Sequence, residues 1–498
     1  MNKKFISAAM VILLITAVLI TSCGNNADAN QNSNDTGKAD VSSVADDAEI
    51  LRENTPDNLP KDLNFDGEII TVHIRGDEQS TVEMNAELTG DVIEDAVYYR
   101  NQAVEERLNV KIVSYVAEGW EAYNTAISNL RSSIMAGDDT YDIIAGWSAR
   151  IPQLSIEGLF MDLYDVDYLD MSQPWWVQSL ITELDVAGTL NFLTGDIALT
   201  LLRAAYVMYF NKTVEGNFEV ESLYDIVNRG EWTIDKMSEI TKGISSDING
   251  DGVMDENDMY GGAFTAVNQV DCYLQGSGIK MITKDSNGLP VLDIEYEKIT
   301  VLVEKIYSFL FENPGVICFT GNENSFGNQL DNLFMGDRAL LVAGPLDNAS
   351  ITYKEMDSDY GIIPYPKYDS NQNEYYTRIQ DSMSLWGIPI TNNTPHISGA
   401  VMEAMAAESY RKLTPAYYEI AMKVKYSRDD ISSQMLDIIR DGAYLNFASI
   451  YNESIGTPWF VMRLLLNEKN KDFASWIASN EPTIQQKLNE MVTAFNEG

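Results

Sequence analysis

Residues 68–74 read EIITVHI, residues 109–115 read NVKIVSY and residues 141–145 read YDIIA. Each is a short apolar run rich in β-branched side chains and reads as a strand. Between the first two, Asp91 stands at a helix N-cap with Glu94 three residues on, and Val92, Ala96, Ala103 and Val104 mark one apolar face through Leu108. Between the second and third, Ile127, Leu130 and Ile134 set another stripe, and Gly137 supplies a stop. The alternation β-α-β-α-β predicts an α/β fold. Ligands of open parallel sheets lie outside the carboxyl ends of the strands, so Trp147, directly after the third run, is a candidate cleft residue.

Upstream of this block the chain changes character twice. MNKKFISAAMVILLITAVLITSC, residues 1–23, has two lysines, an apolar run too short to span a bilayer, and a cysteine after small residues. It looks like a bacterial lipoprotein signal, with residues 1–22 removed and Cys23 acylated. Residues 24–60 are rich in Asn, Asp, Ser and Ala without apolar periodicity and read as a flexible tether. Coil statistics give such a tether a reach of about 30 Å.

The remainder is long enough to divide into two lobes. Its composition is globular, at 45% hydrophobic residues, while 75 acidic against 34 basic residues give a formal charge of −41. Nucleic acid and anionic membrane surfaces are poor partners for that field, and its simplest consequence is solubility. Cys272 and Cys318 are too far apart in sequence to indicate proximity, and no disulfide is expected.

Six further segments carry a resemblance. They are TGDVIEDAVYYRNQAVEERLNVKI at 89–112, TYDIIAGWSARIPQLSIEGLFMDL at 140–163, YFNKTV at 209–214, EWTIDKMSEITKGI at 231–244, FMGDRALLVAGPLDN at 334–348 and YGIIPYPK at 360–367. In order and spacing they resemble the extracellular solute-binding proteins of ABC importers, in the carbohydrate-binding group with a type II periplasmic-binding fold. The resemblance implies two α/β lobes, hinge strands between them, and a solute trapped as the lobes close. Lobe 1 would take residues 62–190 and about 378–425, and lobe 2 residues 191–377 and about 426–498. Crossings are expected near 191–202, near 378–386 and after about 425. The implied function is a lipid-anchored monomeric receptor that delivers a carbohydrate, an oligosaccharide, to the membrane permease subunits. No GxxxxGK[ST] loop is present to cradle a nucleotide phosphate.

Within lobe 2, residues 247–258 read DINGDGVMDEND. Asp247, Asn249, Asp251, the Val253 carbonyl, Asp255 and Asp258 fall at the ligand positions of a twelve-residue calcium loop, with Gly252 at the turn. Position twelve is the shorter Asp rather than Glu. A structural Ca2+ is expected, with an acidic surface turn as the alternative reading.

Sugar recognition needs flat aromatic faces and planar polar side chains. The expected cleft offers Trp147, Trp175, Trp176 and Trp386 together with Asp196, Arg203, Tyr206, Gly344, Asp347, Arg378 and Asp381. Packing roles compete for some of these: Trp175 and Trp176 as interlobe core, Arg203 with Asp196 as an ion pair, Trp386 beneath the hinge. Catalysis is poorly supported, since the chain has only two histidines and no HExxH, GxSxG or CxxC pattern. A carboxylate-pair glycosidase and a surface glycan-binding or sensory protein without transport are the remaining alternatives.

Overall fold

The computed structural model describes residues 52–84, 87–322, 328–423 and 430–497. The signal segment, Cys23 and the tether up to residue 51 lie outside the described residues. Asp91 caps the helix Val92–Leu108 by accepting from the Ile93 and Glu94 amides at 2.9 and 3.1 Å, and Gly137 ends the helix Tyr123–Ala136 at φ 78°. These local signals act as their chemistry dictates. The buried face of the first helix differs from the expected one: Val97, Arg100, Val104 and Leu108 face inward, while Val92 is 55% exposed. The stripe was misplaced because it contains Arg100, whose guanidinium is buried and bonded to the Glu83 carbonyl.

In chain order the strands are β1 (Glu68–Ile74), β2 (Val110–Val116), β3 (Ile143–Trp147), β4 (Tyr206–Asn211), β5 (Ser245–Ser246), β6 (Met259–Thr265), β7 (Ile282–Lys284), β8 (Pro290–Leu292), β9 (Val316–Phe319), β10 (Ala339–Pro345), β11 (Tyr360–Ile363), β12 (Thr377–Arg378), β13 (Ser384–Gly387) and β14 (Ala443–Tyr444). Two sheets dominate the α/β fold. The first has the order β13-β3-β1-β2, with β1, β2 and β3 parallel. The second has the order β11-β4-β10-β6-β5 with β9 also on β6, and here β6, β9 and β10 are parallel.

Besides the two-residue β5, which is antiparallel to β6, one strand in each sheet runs against its parallel neighbours: β13 against β3, and β4 against β10. Both are the strands that follow a crossing between the sheets. A segment that arrives at the carboxyl ends of parallel strands can only run away from them, so the entering strand must be antiparallel. Tyr206 at the start of β4 thus sits opposite Pro345 at the end of β10, and Ser384 at the start of β13 opposite Trp147 at the end of β3. The carboxyl ends of both sheets meet at the crossings.

The crossings are tied to each other. Leu193 and Trp386 exchange two backbone bonds of 2.8 Å, and the Gln380 amide donates to the Ala204 carbonyl at 2.9 Å. The Thr200 hydroxyl donates to Glu83 at 2.6 Å and accepts from the Ser384 amide at 2.8 Å. A third connection pairs β12 in parallel with β14.

The described residues form one compact body. It begins before residue 60, because Arg52 bonds Asp196 at 2.7 Å, the Asp57 carboxylate takes both Arg107 amino groups at 2.6 and 2.7 Å, and Leu59 is buried. Cys272 and Cys318 are free thiols. Among the described residues no helix is long and apolar enough to cross a membrane.

Candidate functional site

The chain leaves β1 through Arg75 and Asp77 and leaves β3 through Trp147, Ser148 and Arg150. Arg75 pairs with Asp77, donates to the Ser382 carbonyl of the second crossing at 3.0 Å, and stacks 3.7 Å over the half-exposed Trp120 ring. Trp120 meets Trp147 edge-on, ring centroids 4.8 Å apart. The Tyr123 hydroxyl fixes the end of β3 by accepting from the Trp147 amide at 2.9 Å. The Arg150 guanidinium lies 5.1 Å from the Trp147 ring and pairs with Glu453.

The facing wall begins just after β6. Gln269 and Asp271 lie on the helix Asn268–Gly276, and Gln269 holds the sheet end through the Thr265 amide at 2.9 Å and the Ala343 carbonyl at 2.7 Å. Asp271 is fully buried between two guanidinium groups, with Arg463 Nε donating at 2.7 Å and Arg378 Nη2 an ion-pair partner 3.8 Å away. Burial pushes its carboxyl up, against the pull of Arg463 and Arg378. Arg463 covers the Phe460 ring at 3.9 Å, beside the buried Trp459. A cavity of about 20 Å³ lies between the walls, lined by Ser148, Arg378, Asp381, Ser449, Trp459 and Phe460 among others. That is the size of one water molecule.

Two residues that line this cavity carry a buried polar atom without a hydrogen-bond partner, Arg378 Nη1 and Trp459 Nε1, as do three residues next to the lining: Trp147 Nε1 and Arg150 Nε on either side of Ser148, and Asp271 Oδ1 on the partner of Arg378. Buried polar groups are paired in the great majority of cases, and each exception calls for an explanation. Five of the sixteen such atoms among the described residues lie here.

The residues singled out by sequence fall into four places. Trp147, Arg378 and Asp381 belong to the cluster just described, with Tyr206 5.5 Å from the Arg378 guanidinium. Arg203 and Asp347 pair with each other at 2.8 Å beside a second cavity of about 20 Å³, and Gly344 lies on β10 three residues before Asp347. Arg203 is therefore not paired with Asp196, which takes Arg52 and the Thr414 hydroxyl instead. Trp175, Trp176 and Asp196 line a separate cavity of about 300 Å³ that shares only Ile379 with the first. Both tryptophans are buried, and Trp176 Nε1 donates to Glu403 at 3.0 Å. Trp386 is fully buried in β13, opposite Ala145.

Sequence reasoning missed Arg75, Trp120, Arg150, Asp271, Trp459 and Arg463. The rule that selected Trp147 would have found Arg75, which directly follows β1. Nothing local marks Trp459 or Arg463, because they reach the site through the path of the chain and not through a strand end.

The loop 247–258 is a chain of carboxylate-to-amide bonds. Asp247 accepts from Gly250 and Gly252 at 2.6 and 2.8 Å, Asn249 from Asp251 at 2.8 Å, and Asp258, fully buried, from Ile248 and Asp255 at 3.0 and 2.9 Å. Gly250 and Gly252 have φ of 75° and 82°, which glycine adopts without strain. Among the described residues, no group of three His, Cys, Asp or Glu side chains converges as metal ligands.

Neither a protein-family model nor a curated protein sequence matches the chain. Solved structures do. The galacto-N-biose-/lacto-N-biose I-binding protein of the ABC transporter from Bifidobacterium longum aligns with a TM-score of 0.56 at 9% identity, covering 86% of this chain and 98% of that one. UspC of M. tuberculosis gives 0.55 at 11%, covering 84% and 100%. A sugar transporter protein from Rhizobium etli in an open conformation gives 0.53 at 15%, covering 86% and 98%. The likeness establishes the fold, the two-lobe type II fold of periplasmic sugar-binding proteins.

Proposed function

We propose that this protein is a lipid-anchored extracellular receptor that captures a carbohydrate between its lobes and delivers it to an ABC permease. The observation that carries the reading is the convergence, at the carboxyl ends of both sheets, of aromatic faces and unpaired hydrogen-bonding groups. Trp120, Trp147 and Trp459 supply the flat apolar surface a pyranose ring stacks on, and Arg150, Arg378 and Asp271 supply planar groups for its hydroxyls. The cavity there holds about one water, so a sugar enters only if the lobes part. Solute that bridges the lobes then favours their closure by its differential affinity for the closed form.

The fold's neighbours bind or transport sugars by their descriptions, and residues 1–23 supply the signal for anchoring through Cys23. A monomer on a tether suffices for this role. Turnover is no part of it: of the carboxylates at the cluster, Asp77, Asp271 and Glu453 are each held by an arginine and Asp381 stands alone, which leaves no opposed free pair for glycoside hydrolysis among these described residues. We also assign a structural Ca2+ to the loop 247–258 on its ligand spacing and its glycine-permitted turns.

A thermal-shift screen of the mature chain against mono- and oligosaccharides tests the reading. A saturable rise in melting temperature, with the sugar recovered intact by chromatography, is the expected result. No shift across the panel contradicts carbohydrate capture, and consumption of the sugar contradicts the absence of turnover. Genomic neighbours without permease genes would favour a surface glycan-binding or sensory role.

A further inference from the structure

The helix Gln178–Leu184 stands ahead of the first crossing, and the chain after it returns to the side of β1 to β3, where the Leu190 carbonyl accepts from the Leu163 amide at 2.7 Å. Its other flank meets residues from beyond the crossings. The Ser179 hydroxyl donates to the Ala443 carbonyl at 3.3 Å. Glu183, buried, accepts from Lys280 Nζ at 2.9 Å, from the Tyr444 hydroxyl at 3.1 Å and from the Phe447 amide at 3.0 Å. Lys284, on β7, donates to the Thr182 and Asp185 carbonyls at the end of the helix. The turn that follows, with φ of 54° at Ala187 and 87° at Gly188, touches the β7–β8 turn. There the Ala187 amide donates to the Gly288 carbonyl at 3.2 Å, and a Cβ on Gly288 would lie 3.3 Å from the Ala187 backbone.

This seam is made of hydrogen bonds and an ion pair, and the Lys280 side chain within it stays 45% exposed. Faces that part and rejoin are more polar than permanent ones, because an apolar face would meet water at each separation. The charges are complementary across it. Lys280 and Lys284 stand on one side, and on the other stand Glu183 and the carbonyls of a helix end, which carry partial negative charge. The seam also reaches the strand-end cavity, since Phe447 opens the helix Phe447–Ile450, and Leu445, Ser449 and Ile450 line that cavity.

We propose that the seam is an ion-pair latch between the lobes, centred on Glu183, and that it holds part of the population closed before any solute arrives. Closure then costs a solute less, because the contacts of Lys280 and Lys284 supply a share of the free energy that favours the closed form. Glu183 acts as a positioning residue: one carboxylate joins the lobes and fixes the start of a helix that lines the cavity. Partly exposed ion pairs are individually weak and screened by salt, so the latch biases the balance and does not lock it. It goes beyond the receptor reading and is independent of which solute binds.

Small-angle X-ray scattering of the mature chain without solute tests the proposal. A Lys280→Ala, Lys284→Ala variant is expected to show a larger radius of gyration than the native chain, with an unchanged circular dichroism spectrum. Glu183→Gln keeps an acceptor for the Phe447 amide and loses the charge, and its radius should fall between the two. Raising the salt from about 0.05 M to about 1 M should expand the native chain toward the variant and leave the variant as it was. Native and double-variant radii that agree at low salt would overturn the latch. An expansion of the variant that salt does not reproduce in the native chain would overturn its ion-pair basis. The measurement uses no sugar, so a failed sugar screen would remove the receptor reading and leave this result standing.

Discussion

Glu403 shows how a single side chain can set the pH response of the molecule. It is fully buried, accepts from Trp176 Nε1, and its carboxyl is pushed up to about 7 by burial, against an ordinary value of 4.5. A carboxyl raised in the folded state binds its proton more tightly there than in the unfolded chain. Stability is therefore greatest below the unfolded value and falls as pH rises from about 4.5 to about 7, by about 3 kcal/mol for a shift of this size. Urea unfolding at pH 5 and pH 8 checks this: Glu403→Gln should be more stable than the native chain at pH 8 and should lose part of the native pH dependence. Equal pH responses in the two proteins would contradict it. The Asp271 triad makes a second prediction at this scale. Asp271→Asn leaves the buried Arg378 and the half-buried Arg463 without a full counter-charge and should cost about 3–5 kcal/mol by the same measurement.

At the scale of elements, what the sequence made legible was what is locally encoded. Asp91 with Glu94 marks a helix start wherever it occurs, because the amides it satisfies are two and three residues away. Asp91→Ala should accordingly cost about 1 kcal/mol. The run EIITVHI coincides with β1 for the same reason. The buried face of the helix Val92–Leu108 was not legible, since Arg100 reads as polar until the Glu83 carbonyl is brought against it. The pairing of the crossings through Thr200, Glu83 and Ser384 is equally invisible, because its partners lie 117 and 184 residues away in sequence. Thr200→Val removes the hydroxyl that joins them and should destabilise by about 1–3 kcal/mol in urea. The loop 247–258, to which we assign Ca2+, is the converse case, a motif explicit in sequence. Added Ca2+ should raise the melting temperature of the native chain and should not raise that of an Asp247→Ala, Asp251→Ala variant.

At the scale of the molecule, the fold positions its site by a rule of chain direction. Two sheets point their carboxyl ends at one another, the crossings run between them, and a strand enters each sheet antiparallel from that point. Trp147 was legible as the end of a strand. Trp459 and Arg463 bear no such mark, because they come from the far end of the chain and only the folded path brings them to Asp271 and Arg378. The cluster at the strand ends and the larger cavity beside Trp175, Trp176 and Asp196 are distinct places; the larger one has one unpaired donor, Trp175 Nε1, and the first has several, on two tryptophans and two arginines. The direct test is a titration, followed by tryptophan fluorescence, of the native chain and two variants with the saccharide selected by thermal shift. Trp147→Ala should weaken binding at least tenfold, and Arg440→Ala, which alters only the larger cavity, should leave it unchanged. The reverse pattern would move the solute to the larger cavity and contradict capture at the strand ends.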